Sequence, residues 1–193
     1  GCLYFPGFDK IGVKTNKIDN YCNNENLSKL EQVLTKEKDS IIIFGGRFPL
    51  YITNYFFDNK EGGKEGGEWN ETYISKSSFK TIQSSFKTSI DKLSKHNKII
   101  LIYPIPEVGW NVPQKFFNSL PEKIKKNNNY LKDYLVLKNY ITTSYQVYKD
   151  RTRSSFKLFD SIKGKNIYRV YPHTLFCDTL LKDRCITHDD KNI

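Results

Sequence analysis

The sequence predicts an α/β layered fold built on a parallel sheet. Three observations carry this expectation. Segments with apolar residues at helical spacing alternate with short apolar runs. Those runs are continuous and β-branched, which suits strands buried on both faces. Each run stops at Gly or Pro, the residues that end regular structure.

The elements follow in order. Asn26 to Lys38 reads as a helix, capped by Asn26, with Leu27, Leu30, Val33 and Leu34 on one face. Ser40-Ile41-Ile42-Ile43-Phe44 is the first buried strand and ends at Gly45-Gly46. Asp58 to Trp69 carries Gly62-Gly63 and Gly66-Gly67 among charges and reads as an exposed, mobile loop. Ser77 to His96 is the clearest helix, with Phe79, Ile82, Phe86, Ile90 and Leu93 in a single stripe. Lys98 to Tyr103 is the second strand, ended by Pro104-Ile105-Pro106. Asn111-Val112-Pro113 starts a short helix running through Leu120, with Pro near the first turn. Asn127-Asn128-Asn129 marks a loop. Tyr145 to Lys163 is a long helix with Tyr148, Ser155, Leu158, Phe159 and Ile162 inward, and Gly164 suits its C-terminal cap. Asn166 to Tyr171 is the third strand, ended by Pro172.

Composition narrows the function classes. The 193 residues suit one domain. With 13 Tyr, 13 Phe and 2 Trp the chain holds too many large apolar groups to be disordered. No apolar run reaches the ~20 residues that cross a bilayer. No charged segment followed by an apolar one opens the chain, so no signal peptide is expected there. The net charge is +10, yet Lys is scattered singly rather than banded. The sequence has no Ala and is rich in Lys, Asn, Ile, Tyr and Phe, the residues of AT-rich codons. The charge therefore reads as a solvated surface, not as a nucleic-acid footprint.

The cysteines fall as two local pairs, Cys2 with Cys22 and Cys177 with Cys185. Two short disulfide loops and four reduced thiols are both open readings, and four cysteines allow three connectivities. His96, His173 and His188 do not sit at zinc-ligand spacing around them, so no metal is expected.

In a parallel sheet the site lies at the carboxyl ends of the strands. Three segments fall there: Gly45-Gly46-Arg47-Phe48, Pro104 to Trp110, and Pro172-His173-Thr174. His96, ending a helix, needs no function. For His173 a structural role is expected ahead of a catalytic one.

Two of these stretches carry a specific likeness. Ile42 to Tyr51 (Ile-Ile-Phe-Gly-Gly-Arg-Phe-Pro-Leu-Tyr) and Ile100 to Pro113 (Ile-Leu-Ile-Tyr-Pro-Ile-Pro-Glu-Val-Gly-Trp-Asn-Val-Pro) resemble the extracytoplasmic SGNH domain fused to acyltransferase-3 membrane proteins. Cys2 and Cys22 resemble that family's first cysteine pair, and Cys177 and Cys185 its second. The resemblance covers nearly the whole chain, and Tyr103 to Gly109 is its most specific part. It implies a three-layer α/β/α sandwich with a mainly parallel sheet, of the SGNH-hydrolase, flavodoxin-like kind. It implies two disulfides and a position on the extracytoplasmic (periplasmic) face of the inner membrane. The implied activity is transfer of an acyl group, acetyl foremost, to a surface glycan such as O-antigen, exopolysaccharide or peptidoglycan. The implied partners are that glycan and a fused or associated acyltransferase-3 membrane domain. No cofactor is expected in the chain itself, because the membrane domain would handle the acetyl-CoA-derived donor. A serine-esterase mechanism follows, in which a Ser takes the acyl group and a His, oriented by Asp, acts as base.

The chain departs from that pattern in its catalytic motifs. It holds no Gly-Asp-Ser and no Asp-x-x-His. Lys38-Asp39-Ser40 precedes a strand, whereas a nucleophile elbow follows one. His188 is followed by Asp189-Asp190, the wrong order. Family order places the two motifs before Cys2 and after the second cysteine pair. Residues 1–193 are therefore expected to be a single, partial SGNH domain, incomplete at both ends and inactive alone. No triad residue is assigned within it. Gly7, Gly45 and Gly46 are candidate backbone donors near an oxyanion. Arg47 stands where the wider fold family has Asn, and is a candidate oxyanion, acyl-donor or sugar contact. Glu107 and Trp110 are candidate glycan contacts, against the competing role of a Trp packed over the sheet end. A carbohydrate esterase of the same fold and a non-catalytic glycan-binding relative are the alternatives.

Overall fold

The computed structural model describes residues 2–75, 77–125 and 141–187. The expected loop at Asn127 to Asn129, and His188, lie outside these residues. The chain is a mixed α/β structure that divides into two compact units, one of residues 1–56, 67–105 and 152–172 and one of 57–66, 106–151 and 173–193.

The first unit holds β1 (Asp9–Gly12), α1 (Asn24–Lys36), β2 (Ile41–Phe44), α2 (Phe48–Thr53), β3 (Glu71–Ile74), α3 (Ile82–Leu93) and β4 (Lys98–Ile102). Its centre is a three-stranded parallel sheet in the order β2-β4-β6, where β6 is Ile167–Val170. The register pairs Ile43 with Ile100 and Ile100 with Tyr168. A separate antiparallel pair, β1 with β3, accompanies it.

This is the expected α/β arrangement, a parallel sheet flanked by helices, although among the described residues its two faces are unequally covered. Ile99, Leu101, Phe44 and Ile167 point into the core with Leu27 of α1, Phe86, Ile90 and Leu93 of α3, and Leu158, Phe159 and Ile162. On the other parity Ile41 and Ile43 are 62% and 59% exposed, and Tyr168 and Val170 are exposed as well. The continuous apolar runs therefore overstate the cover among the described residues. The strands are added in one direction, β2 then β4 then β6. Right-handed crossovers made in a single direction deliver their helices to the same face.

Three other expectations are corrected by local hydrogen bonds. Helix α3 starts later than Ser77, because the Thr81 hydroxyl accepts from Ser84 N–H and Ser84 returns the bond, a reciprocal cap. Phe79 thus precedes the helix and is 95% exposed rather than part of its stripe. Helix α1 starts two residues early, because Asn23, not Asn26, is its cap and accepts from Asn26 N–H at 2.9 Å. That frame buries Leu27 and packs Leu34 against the core but leaves Leu30 and Val33 exposed. The Gly-rich loop after Asp58 is organised around a buried side chain. Asn59 Oδ1 accepts from Glu61 N–H and Gly63 N–H, and Asn59 Nδ2 donates to the Val108 carbonyl.

The second unit holds α4 (Val112–Ser119), α5 (Glu122–Lys125), and an antiparallel pair of β5 (Thr142–Ser144) with β7 (Arg184–Ile186), followed in space by α7 (His173–Phe176) against β7. Helix α4 starts as its sequence predicts, with Asn111 accepting from Gln114 N–H at 3.0 Å. Helix α6 (Tyr145–Ser161) is divided between the units at Arg151 and Thr152. The inward positions Tyr148, Ser155, Leu158, Phe159 and Ile162 are all buried.

Aromatic rings lock the first unit. Phe86 of α3 lies 5.8 Å from Phe159 of α6, and Phe48 of α2 meets both rings at 5.3 and 4.8 Å. Phe86 is fully buried. Removing such a ring loses its transfer energy and leaves a cavity. Phe86→Ala is expected to destabilise by about 3–5 kcal/mol, read from the urea midpoint, while Phe79→Ser leaves the midpoint within about 0.5 kcal/mol. Equal effects of the two substitutions would refute this assignment of the core.

Candidate functional site at the strand ends

The first unit presents Gly45-Gly46-Arg47 directly after β2, all three exposed. The turn into α2 is made by residues that tolerate it. Gly46 has φ +150°, and a Cβ there would lie 2.7 Å from Leu3 Cδ2. Its carbonyl accepts from Phe48 N–H at 2.9 Å. A Cβ at Gly45 would approach Ile102 Cβ at 3.3 Å, so this glycine lets the strand end sit close against β4. Arg47 stands at the start of α2, and its charge reaches the Tyr51 phenol. Gly7 is a left-handed turn residue, φ +90°, whose N–H donates to Asn24 Oδ1 at 2.9 Å. That N–H is committed within the protein, whereas the Gly45 to Arg47 turn lies open to solvent.

At the same end of the sheet lies a polar cluster that the sequence reading missed. Tyr103, just after β4, donates from its hydroxyl to Asp160 Oδ1 at 2.5 Å. Arg169 of β6 donates from Nε to the same hydroxyl at 3.2 Å and from Nη2 to the Ile162 carbonyl at 2.5 Å. Burial, then the Asp160 hydrogen bond, pushes the Tyr103 phenol upward, so it stays protonated. The signal was available: Arg169 interrupts an apolar strand, and a charge on the covered face of a sheet requires a partner.

In the second unit Glu107 and Trp110 are half-buried. Glu107 Oε2 accepts from Arg151 Nε at 3.0 Å, an ion pair with side chains 16% and 3% exposed. Trp110 packs against Gly63, where any Cβ would meet its ring, and Lys115 Nζ sits 3.7 Å over that ring. Each candidate glycan contact thus has a protein partner. His173 begins α7 and stacks on Tyr148 at 5.5 Å, with burial pushing its imidazole below the ordinary value.

Both disulfides are formed, Cys2–Cys22 and Cys177–Cys185. Such bonds persist in oxidising compartments, which suits an extracytoplasmic domain. Among the described residues there is no group of three or more His, Cys, Asp or Glu placed to hold a metal. No helix among them is long and apolar enough to cross a membrane.

A parallel sheet flanked by helices is consistent with the layered fold of an SGNH-type domain. The family model described as the SGNH domain (fused to AT3 domains) matches residues 1–193, and the chain belongs to that family. Neither the curated proteins nor the solved structures contain a match.

The second unit also carries a bidentate pair. Arg184 Nη1 and Nη2 donate to Glu61 Oε1 and Oε2 at 2.5 and 2.7 Å. The Arg184 hydrogen bonds hold the Glu61 carboxyl below the usual range. Its folded pKa therefore lies below the unfolded value of about 4.3. The stabilisation is complete above that value and is lost as pH falls through the folded pKa. Glu61→Gln is expected to flatten the acid limb of a urea-midpoint profile measured below about pH 4.5. An acid limb identical to the parent's would rule out this pair as a contributor.

Proposed function

We propose that residues 1–193 form the extracytoplasmic SGNH domain of an O-acyltransferase. It passes acetyl groups from a membrane acyltransferase-3 domain to a cell-surface glycan: O-antigen, exopolysaccharide or peptidoglycan. The observation that carries this reading is the match of the whole chain to a domain named for its fusion to AT3 domains. The disulfides support the extracytoplasmic setting.

In this reading a Ser-His-Asp trio that residues 1–193 do not carry performs the covalent chemistry. The serine oxygen attacks the acyl carbonyl while the His takes its proton. The donor's leaving group then departs with that proton. The glycan hydroxyl attacks the acyl-serine in turn and gives its proton back through the His. This chain supplies the surroundings of that trio. The Arg47 guanidinium, exposed at the end of β2, is suited to stabilise negative charge on the acyl oxygen or to orient the acceptor sugar. The Gly45-Gly46 turn keeps side-chain bulk away from the same place.

The purified chain is expected to show no turnover of a chromogenic acetate ester. In the full-length protein Arg47→Ala is expected to lower glycan acetylation at least about tenfold, the scale of a lost charged donor, with Arg47→Lys partly active. Acetylation is read by mass spectrometry of the surface glycan. Turnover by the isolated chain that a substitution within it abolishes would overturn the placement of the trio. A glycan whose acetyl content is the same with and without the full-length protein would overturn the reading as a whole.

A further inference from the structure

The first unit contains a cleft of about 510 Å³ that the strand-end turn of Gly45 to Arg47 does not line. Its walls are the early turns of α1 and α3, the segment leading into α3, and the loop after Pro6. The lining chemistry is distinctive. Ser28, Ser77, Ser85, Thr88 and Ser89 are among its hydroxyls, joined by the Glu31 carboxylate. Among the described residues, Pro6 apart, no aromatic or aliphatic side chain lines it, so it offers little to an acyl chain or a lipid tail. Among the described residues its charged groups are Lys80, Asp9 and Glu31.

These groups are pre-positioned. Ser89 Oγ donates to Glu31 Oε1 at 2.7 Å, and Ser85 Oγ donates to the Pro6 carbonyl. Ser28 Oγ donates to Asn24 Oδ1 at 3.1 Å. Each hydroxyl used as a donor keeps acceptor capacity, and the second Glu31 oxygen remains an acceptor. Behind Glu31 and Ser89 lies the Tyr4 hydroxyl, in a side chain only 8% exposed. The site is thus concave and rich in paired donors and acceptors. Its volume falls within the roughly 300–1,000 Å³ of small-ligand sites.

We propose that this cleft is a docking subsite for the sugar residues of the acceptor glycan, engaging their hydroxyls directly and through water. The proposal rests on the glycan-acylation reading and adds where the polymer is held. A subsite of this kind would give the acceptor affinity away from the reacting hydroxyl.

The test uses the purified chain labelled with ¹⁵N. Three probes are titrated separately: O-antigen polysaccharide, exopolysaccharide fragments and soluble peptidoglycan fragments. Amide shifts are expected at Ser28, Glu31, Thr88 and Ser89 with one of them. Thr88→Tyr, at an exposed helix position, is expected to weaken that binding at least about tenfold by filling the cleft. Ser77→Arg, in the exposed segment before α3, blocks it independently, should the first variant fold poorly by near-ultraviolet circular dichroism. Shifts confined to other residues, or no shift with any probe, overturn the subsite. If the full-length protein still acetylates its glycan in that event, the functional reading stands without it. If acetylation is absent too, both fall.

Discussion

The first unit depends on one junction of aromatic rings. Phe86 and Phe159 stack between two helices, Phe48 closes on both, and Tyr103 meets Phe159 edge-on at 5.1 Å. Phe5 and Phe44 reach the Phe86 ring from the N-terminal segment and from β2, at 6.1 and 5.8 Å. Edge-on and offset pairs of this kind add about 0.5–1.5 kcal/mol each to the area they bury. The consequence is geometric as much as energetic. The same cluster holds the end of β2 through Phe44, the start of α2 through Phe48 and the end of β4 through Tyr103. The Gly45-Gly46-Arg47 turn hangs between the first two, so its position follows from ring packing several residues on either side.

The sheet that carries this junction is covered on one face by its own helices. Its other face presents Ile41, Ile43, Tyr168 and Val170. The strands keep an all-apolar character that alternation would not have required. Arg169 is the exception on the covered side, and its charge is accommodated by Tyr103 and the Ile162 carbonyl. The hydroxyl of Tyr103 therefore does two jobs. It satisfies a guanidinium in the sheet and ties β4 to Asp160 of α6.

Much of this was legible in the residues. Ile-rich runs stopped by Gly or Pro located β2 and β4, and a short apolar segment ended by Pro172 located β6, because strand length and terminators are local properties. The Asn111 cap and the inward stripe of α6 were equally plain. The misses share a cause: a side chain chose its partner through space. Asn23 and Thr81 won the caps of α1 and α3 by geometry, which moved Phe79 outside its helix. Asn59 turned a loop of glycines and charges into an ordered structure from a position the composition makes look exposed. The short antiparallel pairs, β1 with β3 and β5 with β7, join segments about 60 and 40 residues apart and leave no periodic trace over three or four residues. Of the candidate site, the open Gly45 to Arg47 turn was readable from its place after a strand. The partners of Gly7, Glu107 and Trp110 were not, since each lies far along the chain.

A rigid, ring-packed sheet holds the Gly45 to Arg47 turn in a fixed position. Amide hydrogen exchange on the chain measures this directly, with Phe159→Leu as the perturbation. β4, at Ile99 and Leu101, is expected to show the slowest exchange in the first unit, and Phe159→Leu to quicken exchange both in β4 and at Gly45 to Arg47. Exchange in β4 as fast as in the exposed segment before α3, or a turn indifferent to the loss of the ring, would contradict this.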